Sequence, residues 1–268
     1  MRIGSFCSGY GGLDLAAEAF FDAETVWWSD IQPLCQQIMG THWPEATPIG
    51  DVTTVNPHDL AEVDVVTAGF PCQPYSQAGS RLGEKDERAI FQYIGDAIGI
   101  LRPGVVFLEN VAGITSLGGC SVIGTLASLG YDTRFGTLRA ADIGAPHQRN
   151  RWFCVATNTD SRAGTKRNKW TPSGQPTPSG GHVARCGVQD GGPWGKYAPA
   201  IRHWEQVLGR AAPDPLVDGR LNHWLVEWMM GLPSGHVCSI AESRTAALRC
   251  LGNGVVPQQG YAALQLLT

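Results

Sequence analysis

The sequence predicts an α/β fold, in which a mostly parallel β-sheet carries helices on both faces and a small irregular lobe is attached. Over residues 1–157, short apolar segments alternate with helix-like segments, as they do in sheets built from crossover connections. From about Asn158 to Gly219 this pattern stops, and seven of the 17 prolines fall there. Helical patterns then return. We therefore expect a main domain over 1–157, an insert over 158–221 and a C-terminal segment, 222–268, that rejoins the main domain.

The individual elements follow from apolar spacing and from residues that start or end helices. One segment has apolar residues at 90, 91, 94, 98 and 101, a helical stripe that Pro103 ends. Pro33 and Pro257 suit first helical turns, Gly130 suits a helix end, and Asn222 suits a helix cap. We expect strands in RIGSFCS, TVWWSD, VDVVTAG, VVFLENV and RWFCVAT. We expect helices in LDLAAEAFF, PLCQQIMGTHW, RAIFQYIGDAIGIL, VIGTLASLG, PAIRHWEQVLGR, NHWLVEWMMGL and VVPQQGYAALQLL.

Charge is distributed unevenly along the chain. The net charge is −4, with 43% hydrophobic and 16% charged residues, as in ordinary soluble globular proteins. Between Asp160 and Arg220 there are nine Lys or Arg and five Asp or Glu, or +4, so the remainder carries −8. An acidic body with one basic segment fits a polyanion that meets a single face. A solvated loop with chance charge is the simpler alternative.

Secretion, membrane insertion and metal binding find little support. The first residues, MRIGSFCSGYGG, lack the apolar region of a signal peptide, and no apolar run approaches the roughly 20 residues that span a bilayer. The eight cysteines are scattered without a C-x-x-C pair, which favours free thiols in a reducing cytoplasm. His182 and Cys186 are four apart, but no second pair at ligand spacing follows, so we expect no metal site.

A glycine turn and two acids predict a ligand site at the sheet edge. CSGYGGLD lies between a strand and a helix, where small residues let a ligand approach the backbone. Its spacing departs from the dinucleotide fingerprint because Asp14 takes the place of the third glycine. Asp30 and Asp51 follow strands, and a strand-end carboxylate can accept the hydroxyls of a ribose. An adenosyl ligand without phosphates suits this set, although turn glycines and surface acids are also common without function.

The stretch GFPCQPYS places Cys72 between Pro71 and Pro74, directly after a buried strand. Two prolines fix the backbone and so stiffen the loop that carries the thiol. A nucleophilic cysteine needs nearby positive charge, which Arg149 and Arg151 could supply. Glu109 ends another strand and could protonate a ring nitrogen. A packed, unreactive thiol is the alternative for a cysteine considered alone.

Taken together, these motifs resemble those of the DNA (cytosine-5)-methyltransferases. CSGYGG, GFPCQPYS, LENV, QRNR, EWMMGLP and LGNGVVP are similar to that family's motifs in the same order, and the irregular insert falls at its target-recognition region. The resemblance implies a Rossmann-like, S-adenosylmethionine-dependent methyltransferase fold. It also implies methylation of carbon 5 of a cytosine flipped out of double-stranded DNA at a specific sequence.

The resemblance also implies roles for individual residues. Cys72 would add to carbon 6 of the base, Glu109 would hold ring N3 and the amino group, Arg151 would contact the carbonyl oxygen and Arg149 would support the pocket. Cofactor contacts would come from residues on several strand-end loops: Cys7, Tyr10, Gly11, Gly12, Asp30, Ile31, Asp51, Val52, Pro71, Ile90, Asn253 and Gly254. DNA contacts would come from a loop that closes over the base and from the insert: Gln73, Ser76, Ser80, Arg81, Arg167, Lys169 and Lys196.

The chain departs from the family pattern at three places. Cys7 stands where phenylalanine is usual, Gly254 stands where serine is common, and HQRNR replaces a glutamine-lysine-arginine-glutamate-arginine run. These changes affect expectations about the cofactor more than about the reaction. We further expect a monomer with a cognate restriction endonuclease as a candidate partner. An inactive DNA-binding relative, an RNA cytosine methyltransferase and a NAD(P)- or flavin-dependent oxidoreductase are the competing interpretations.

Overall fold

The central sheet of the computed structural model has seven strands, in the spatial order β3-β2-β1-β4-β5-β7-β6. The structure describes residues 1–71, 88–160 and 193–268. The first five strands run parallel, whereas β7 is antiparallel to both β5 and β6. The strands are β1 (Arg2–Phe6), β2 (Glu24–Ser29), β3 (Thr47–Pro48), β4 (Val65–Ala68), β5 (Val105–Val111), β6 (Tyr131–Arg139) and β7 (Asn150–Asn158).

The mostly parallel sheet confirms the predicted fold class, and all five predicted strands are present. The sequence reading missed β6 and the short β3. β6 lies at the edge of the sheet, and most of its residues, including Phe135, face solvent wholly or in part. Such a strand has no continuous apolar run to reveal it, because side chains that face solvent need not be apolar.

Helices cover both faces of the sheet. They are α1 (Gly12–Phe21), α2 (Pro33–His42), α3 (Arg88–Leu101), α4 (Ile114–Leu117), α5 (Gly119–Ser128), α6 (Ala198–Leu208), α7 (His223–Met229), α8 (Arg244–Asn253) and α9 (Pro257–Leu267). The predicted caps are confirmed: Pro33 and Pro257 lie in first turns, and the Asn222 side chain accepts from the Trp224 amide at 3.1 Å. The sequence reading missed α8, whose mixed RTAALRCLGN composition has a weak apolar stripe.

Alternate residues of β5 enter two separate cores. Val106 and Leu108 pack with Ile94 and Ile98 of α3 on one face. Phe107 packs on the other face with residues of α1 and α9. This alternation is what a strand buried on both faces requires.

Part of the predicted insert packs against the C-terminal segment. Ile201 and Trp204 of α6 share one apolar cluster with Leu225 and Trp228 of α7, and the Trp204 indole donates to the Trp228 carbonyl at 3.1 Å. Beside α7, a hairpin of β8 (Leu216–Val217) and β9 (Arg220–Leu221) ends the insert. Although the predicted boundary at 221/222 separates α6 from α7, the two helices share a core. No helix within the described ranges is long and apolar enough to span a bilayer.

Candidate active site

A cavity of about 1090 Å³ opens at the carboxyl ends of β1, β2, β4 and β5. The turn between α8 and α9 closes its opposite side through Asn253 and Gly254. Ligands of open α/β sheets bind at this edge, because successive loops diverge there and leave a crevice. The cavity therefore lies where the glycine turn and strand-end acids predict a ligand.

The glycine turn after β1 is held open by a carboxylate from the neighbouring strand. Cys7, Gly9 and Gly11 all have positive φ values, at 51°, 60° and 78°. The Gly9 amide donates to Asp30 Oδ2 at 2.8 Å. Gly12 begins α1 against the carbonyl oxygen of Val255, which a Cβ atom would overlap. The turn therefore exposes backbone to the cavity where side chains would fill it.

Two acids line the cavity on the β2 side. Asp30 follows β2 and also accepts from the Gln32 amide at 2.8 Å; burial raises its pKa above the usual range. Asp51 accepts from the amide and hydroxyl of Thr53, each at 2.9 Å. Ile31, which is 67% exposed, lies beside Asp30 on the cavity wall. Burial and these two acids raise the pKa of the Cys7 thiol to about 12, so this cysteine stays protonated.

Tyr10 and Gly11 lie behind the cavity wall instead of lining it. The buried Tyr10 side chain donates from its hydroxyl to the Val255 carbonyl at 2.7 Å. Its ring lies so close to Gly254 that a Cβ atom at position 254 would overlap it. Gly11 lies against the ring of Trp43. The glycine at 254, unusual for the resembled family, is thus required here by the tyrosine at 10.

A buried ion pair lines the cavity at the ends of β5 and β7. Arg151 Nε lies 2.9 Å from Glu109 Oε1, with both side chains largely buried. The pair crosses two antiparallel strands, since Val111 of β5 is in register with Arg151 of β7. Burial raises the pKa of Glu109 to about 7, although Arg151 and then Arg149 oppose that shift. Glu109 can therefore exchange a proton near neutral pH.

Asn110 anchors the start of the loop that carries Cys72. Its side-chain amide donates to the Phe70 carbonyl at 2.9 Å, and its oxygen accepts from the Val111 amide at 2.8 Å. A Cβ atom on Gly69 would lie 3.5 Å from Glu109 Oε2, so the chain passes directly beside this carboxyl group. The loop therefore departs from β4 next to the ion pair.

Arg149 contacts backbone instead of the cavity. Its Nη2 donates to the Gly252 carbonyl at 2.9 Å and also to the Gly254 carbonyl. Gln259 holds the Arg149 carbonyl at 2.9 Å, and Arg149 itself has a φ of 28°. These bonds connect the start of β7 to the end of α8, so Arg149 positions the loop beside the cavity without lining it.

The remaining predicted site residues divide into three groups. Lys196 lies in a 3-10 turn before α6, with its ammonium 5.2 Å from the Tyr197 ring centroid. The cavity lining includes Val52, Pro71, Ile90, Asn253 and Gly254. Outside the described residues lie Cys72, Gln73, Ser76, Ser80, Arg81, Arg167 and Lys169.

The structure adds cavity residues that sequence reasoning missed. Asp14 is fully buried and accepts from the Thr67 hydroxyl at 2.5 Å, while burial raises its pKa to about 6. Its position as the third residue of α1 was visible in the sequence, but its inward direction was not. Cys35, Arg249 and Cys250 also line the cavity, and only the contact between α2 and α8 reveals them. Among the described residues, no group of three or more His, Cys, Asp or Glu is placed to hold a metal ion.

The fold and the site define an α/β protein of the Rossmann-like methyltransferase type, with its ligand cavity at the strand ends. Residues 1–185 match the family model described as C-5 cytosine-specific DNA methylase. The chain belongs to this family.

Curated relatives and solved structures agree with this membership. The chain is 37% identical over 134 residues to the Type II methyltransferase M.CviJI of Paramecium bursaria Chlorella virus IL3A, covering 49% of this chain and 36% of that protein. It is 34% identical over 153 residues to M.NgoBI of Neisseria gonorrhoeae, covering 55% and 48%. The matches therefore span at most about half the length of these relatives.

The whole fold is shared with known structures. The Dnmt2 methyltransferase of S. pombe aligns with a TM-score of 0.67 at 19% identity, covering 99% of this chain and 98% of that one. A DNMT2 variant of Spodoptera frugiperda aligns with a TM-score of 0.69 at 18% identity, covering the same shares. At these identities the likeness establishes the fold.

Proposed function

We propose that this protein transfers a methyl group from S-adenosylmethionine to carbon 5 of a cytosine in double-stranded DNA, through a covalent adduct on Cys72. The observation that carries the proposal is the buried Glu109–Arg151 pair, 2.9 Å apart, beside the point where the Cys72 loop leaves β4. Family membership over residues 1–185 supports the reaction class.

The cavity fits an adenosyl cofactor. Its glycine turn provides a wall without side chains at Gly12, and Asp30 offers a carboxylate fixed by two backbone amides. Such a carboxylate suits ribose hydroxyls, while Ile31 and Val52 offer apolar contact to a base. Asn253 and Gly254 would close the cofactor side. When bound, S-adenosylmethionine supplies an electrophilic methyl group.

The residues of the chain would prepare the base for that methyl group. The Cys72 thiolate would form a bond to carbon 6, while protonated Glu109 donates to ring N3 and so accepts the displaced electron density. Arg151 would donate to the carbonyl oxygen of the base. Carbon 5 thereby becomes nucleophilic. After methyl transfer, loss of the carbon-5 proton would restore the double bond and expel the Cys72 sulfur.

DNA recognition is assigned to the insert and to the loop after Cys72. The stretch from Asp160 to Arg220 has a net charge of +4, against −8 for the rest of the chain, and Lys196 lies beside the exposed Tyr197 ring. We propose that these groups contact phosphates and bases of one recognition sequence. Because the site uses one cavity in one chain, a monomer suffices for the reaction. A cognate restriction endonuclease is the partner we propose for this activity.

The test compares unmethylated duplex DNA with a tRNA transcript as acceptors of a labelled methyl group. Wild-type protein should label DNA, and Cys72→Ser should lose that labelling while still binding S-adenosylhomocysteine. Labelling of tRNA alone would overturn the choice of substrate. A duplex containing 5-fluorocytosine should stay covalently attached to wild-type protein, because carbon 5 then has no proton to lose. Full activity of Cys72→Ser would overturn the covalent mechanism.

A further inference from the structure

Helix α8 presents a polar row to the cavity. Arg249 and Asn253 both line the cavity, and they lie four residues apart on α8. Residues at this spacing share a helix face. Arg249 is exposed and therefore accessible to a ligand. The face that meets the cofactor cavity thus carries a guanidinium one turn before Asn253.

Carboxylates dominate the charge of the cavity. Asp14, Asp30, Asp51 and Glu109 line it, whereas Arg249 and Arg151 are the cations among the described lining residues. Arg151 is paired with Glu109 at 2.9 Å, and the proposed function assigns it to the base instead of the cofactor. Within the described part of the chain, no carboxylate or carbonyl oxygen is bonded to Arg249. Among the described lining residues, Arg249 is therefore the cation left for a carboxylate of the cofactor.

The charge pattern of an amino-acid ligand matches this arrangement. S-adenosylmethionine carries a sulfonium and an ammonium group, which the acids of the cavity attract, and one carboxylate, which they repel. A carboxylate in such a cavity requires a counter-charge, and guanidinium groups match carboxylates geometrically. We infer that Arg249 binds the α-carboxylate of the cofactor and thereby selects an adenosyl amino acid over a simple adenosine. The inference rests on the cofactor assignment in the proposed function.

Calorimetric titration with three ligands tests this role. S-adenosylhomocysteine carries the carboxylate, its decarboxylated analogue retains the ammonium, and 5′-methylthioadenosine lacks the whole amino-acid part. In wild-type protein the first should bind most tightly. In Arg249→Ala its affinity should fall by about tenfold or more, the loss of one charge-assisted interaction. The affinities of the other two ligands should stay within about twofold.

Two further variants separate charge from structure. Arg249→Lys should recover part of the lost affinity, because the ammonium retains the charge without the bidentate geometry. Arg244→Ala is the matched control: Arg244 begins the same helix, donates to the Leu221 carbonyl at 2.8 Å and does not line the cavity. It should leave the affinities of all three ligands unchanged.

The outcomes distinguish this inference from the proposed function. Equal losses for all three ligands in Arg249→Ala would show a structural role and overturn the inference. Unchanged ligand affinities with weakened, salt-dependent binding of duplex DNA would assign Arg249 to a phosphate and overturn it as well. If wild-type protein bound none of the three ligands, the cofactor assignment itself would fail.

Discussion

The two halves of the cavity each hold a carboxylate at a strand end, but they restrain it differently. Asp30 accepts two backbone amides, from Gly9 and Gln32. Glu109 instead pairs with the guanidinium of Arg151. Burial raises the pKa of both acids. Backbone donors fix a shape suited to holding a ligand, whereas a buried acid balanced against an arginine suits proton exchange near neutrality.

Replacing Glu109 by Gln should disable the side of the cavity that we assign to activation of the base. The side around Asp30, which we assign to cofactor binding, should stay intact. Glutamine cannot protonate ring N3, so the single-turnover rate of methyl transfer should fall about 100- to 1000-fold. Affinity for S-adenosylhomocysteine should stay within about threefold. The rate is measured on DNA with labelled cofactor and the affinity by equilibrium binding. Urea unfolding checks the stability of the variant. An unchanged rate would show that the base is activated by another group.

Replacing Asp30 by Asn should weaken cofactor binding on the other side of the cavity. The amide loses the charge that accepts from Gly9 and from a ribose, so affinity for S-adenosylhomocysteine should fall about 10- to 100-fold. The methyl-transfer rate at saturating cofactor should change little. Equilibrium binding and saturation kinetics separate the two effects. A large loss in the saturated rate with normal binding would reverse the roles assigned to the two acids.

The pH dependence of the methyl-transfer rate should further separate the role of Glu109 from that of Asp30. In the proposed mechanism the protonated form of Glu109 acts on the base. Because the pKa of Glu109 is raised to about 7, the rate should fall about tenfold per pH unit above 7. Glu109→Gln should remove this descending limb. The same raised pKa lets the folded state hold a proton that the unfolded chain has lost. The free energy of unfolding should therefore decrease as pH rises from 4.5 to 7.

Replacing Gly254 by Ser tests the packing of Tyr10 against the turn between α8 and α9. The new Cβ atom would overlap the Tyr10 ring, so the free energy of unfolding should fall by about 1–3 kcal/mol. Gly252→Ser is the control, because a Cβ atom there meets nothing within 4 Å. The penalty should shrink in a Tyr10→Ala background, as a urea double-mutant cycle would show. A penalty independent of Tyr10 would contradict this packing account.

Local signals were sufficient for much of the fold. Apolar runs and the residues Pro33, Asn222 and Pro257 located five strands and most helices, because each is determined by its own neighbours. β6 was missed because an exposed edge strand needs no apolar run. α8 was missed because it packs through a few residues that are far apart in sequence from their partners.

The site was predictable only in part for the same reason. Motif order placed Asp30, Glu109, Arg151 and Asn253 at one cavity, which the structure brings together. It could not reveal that Tyr10 and Arg149 contact the α8–α9 turn, since such bonds join residues more than 100 positions apart. Nor could motif order indicate which side chain of α8 meets the cavity.

Helix α9 rests on α1 at Gly260, where a Cβ atom would lie 2.9 Å from the Cβ of Ala16. Tyr10 likewise bonds a carbonyl 245 residues later in the chain. During synthesis, the ribosome therefore exposes the glycine turn long before its closing partner exists. A growing chain that ends before α8 and α9 lacks one wall of the cavity. The cavity is therefore completed only after the last two helices of the chain have been made.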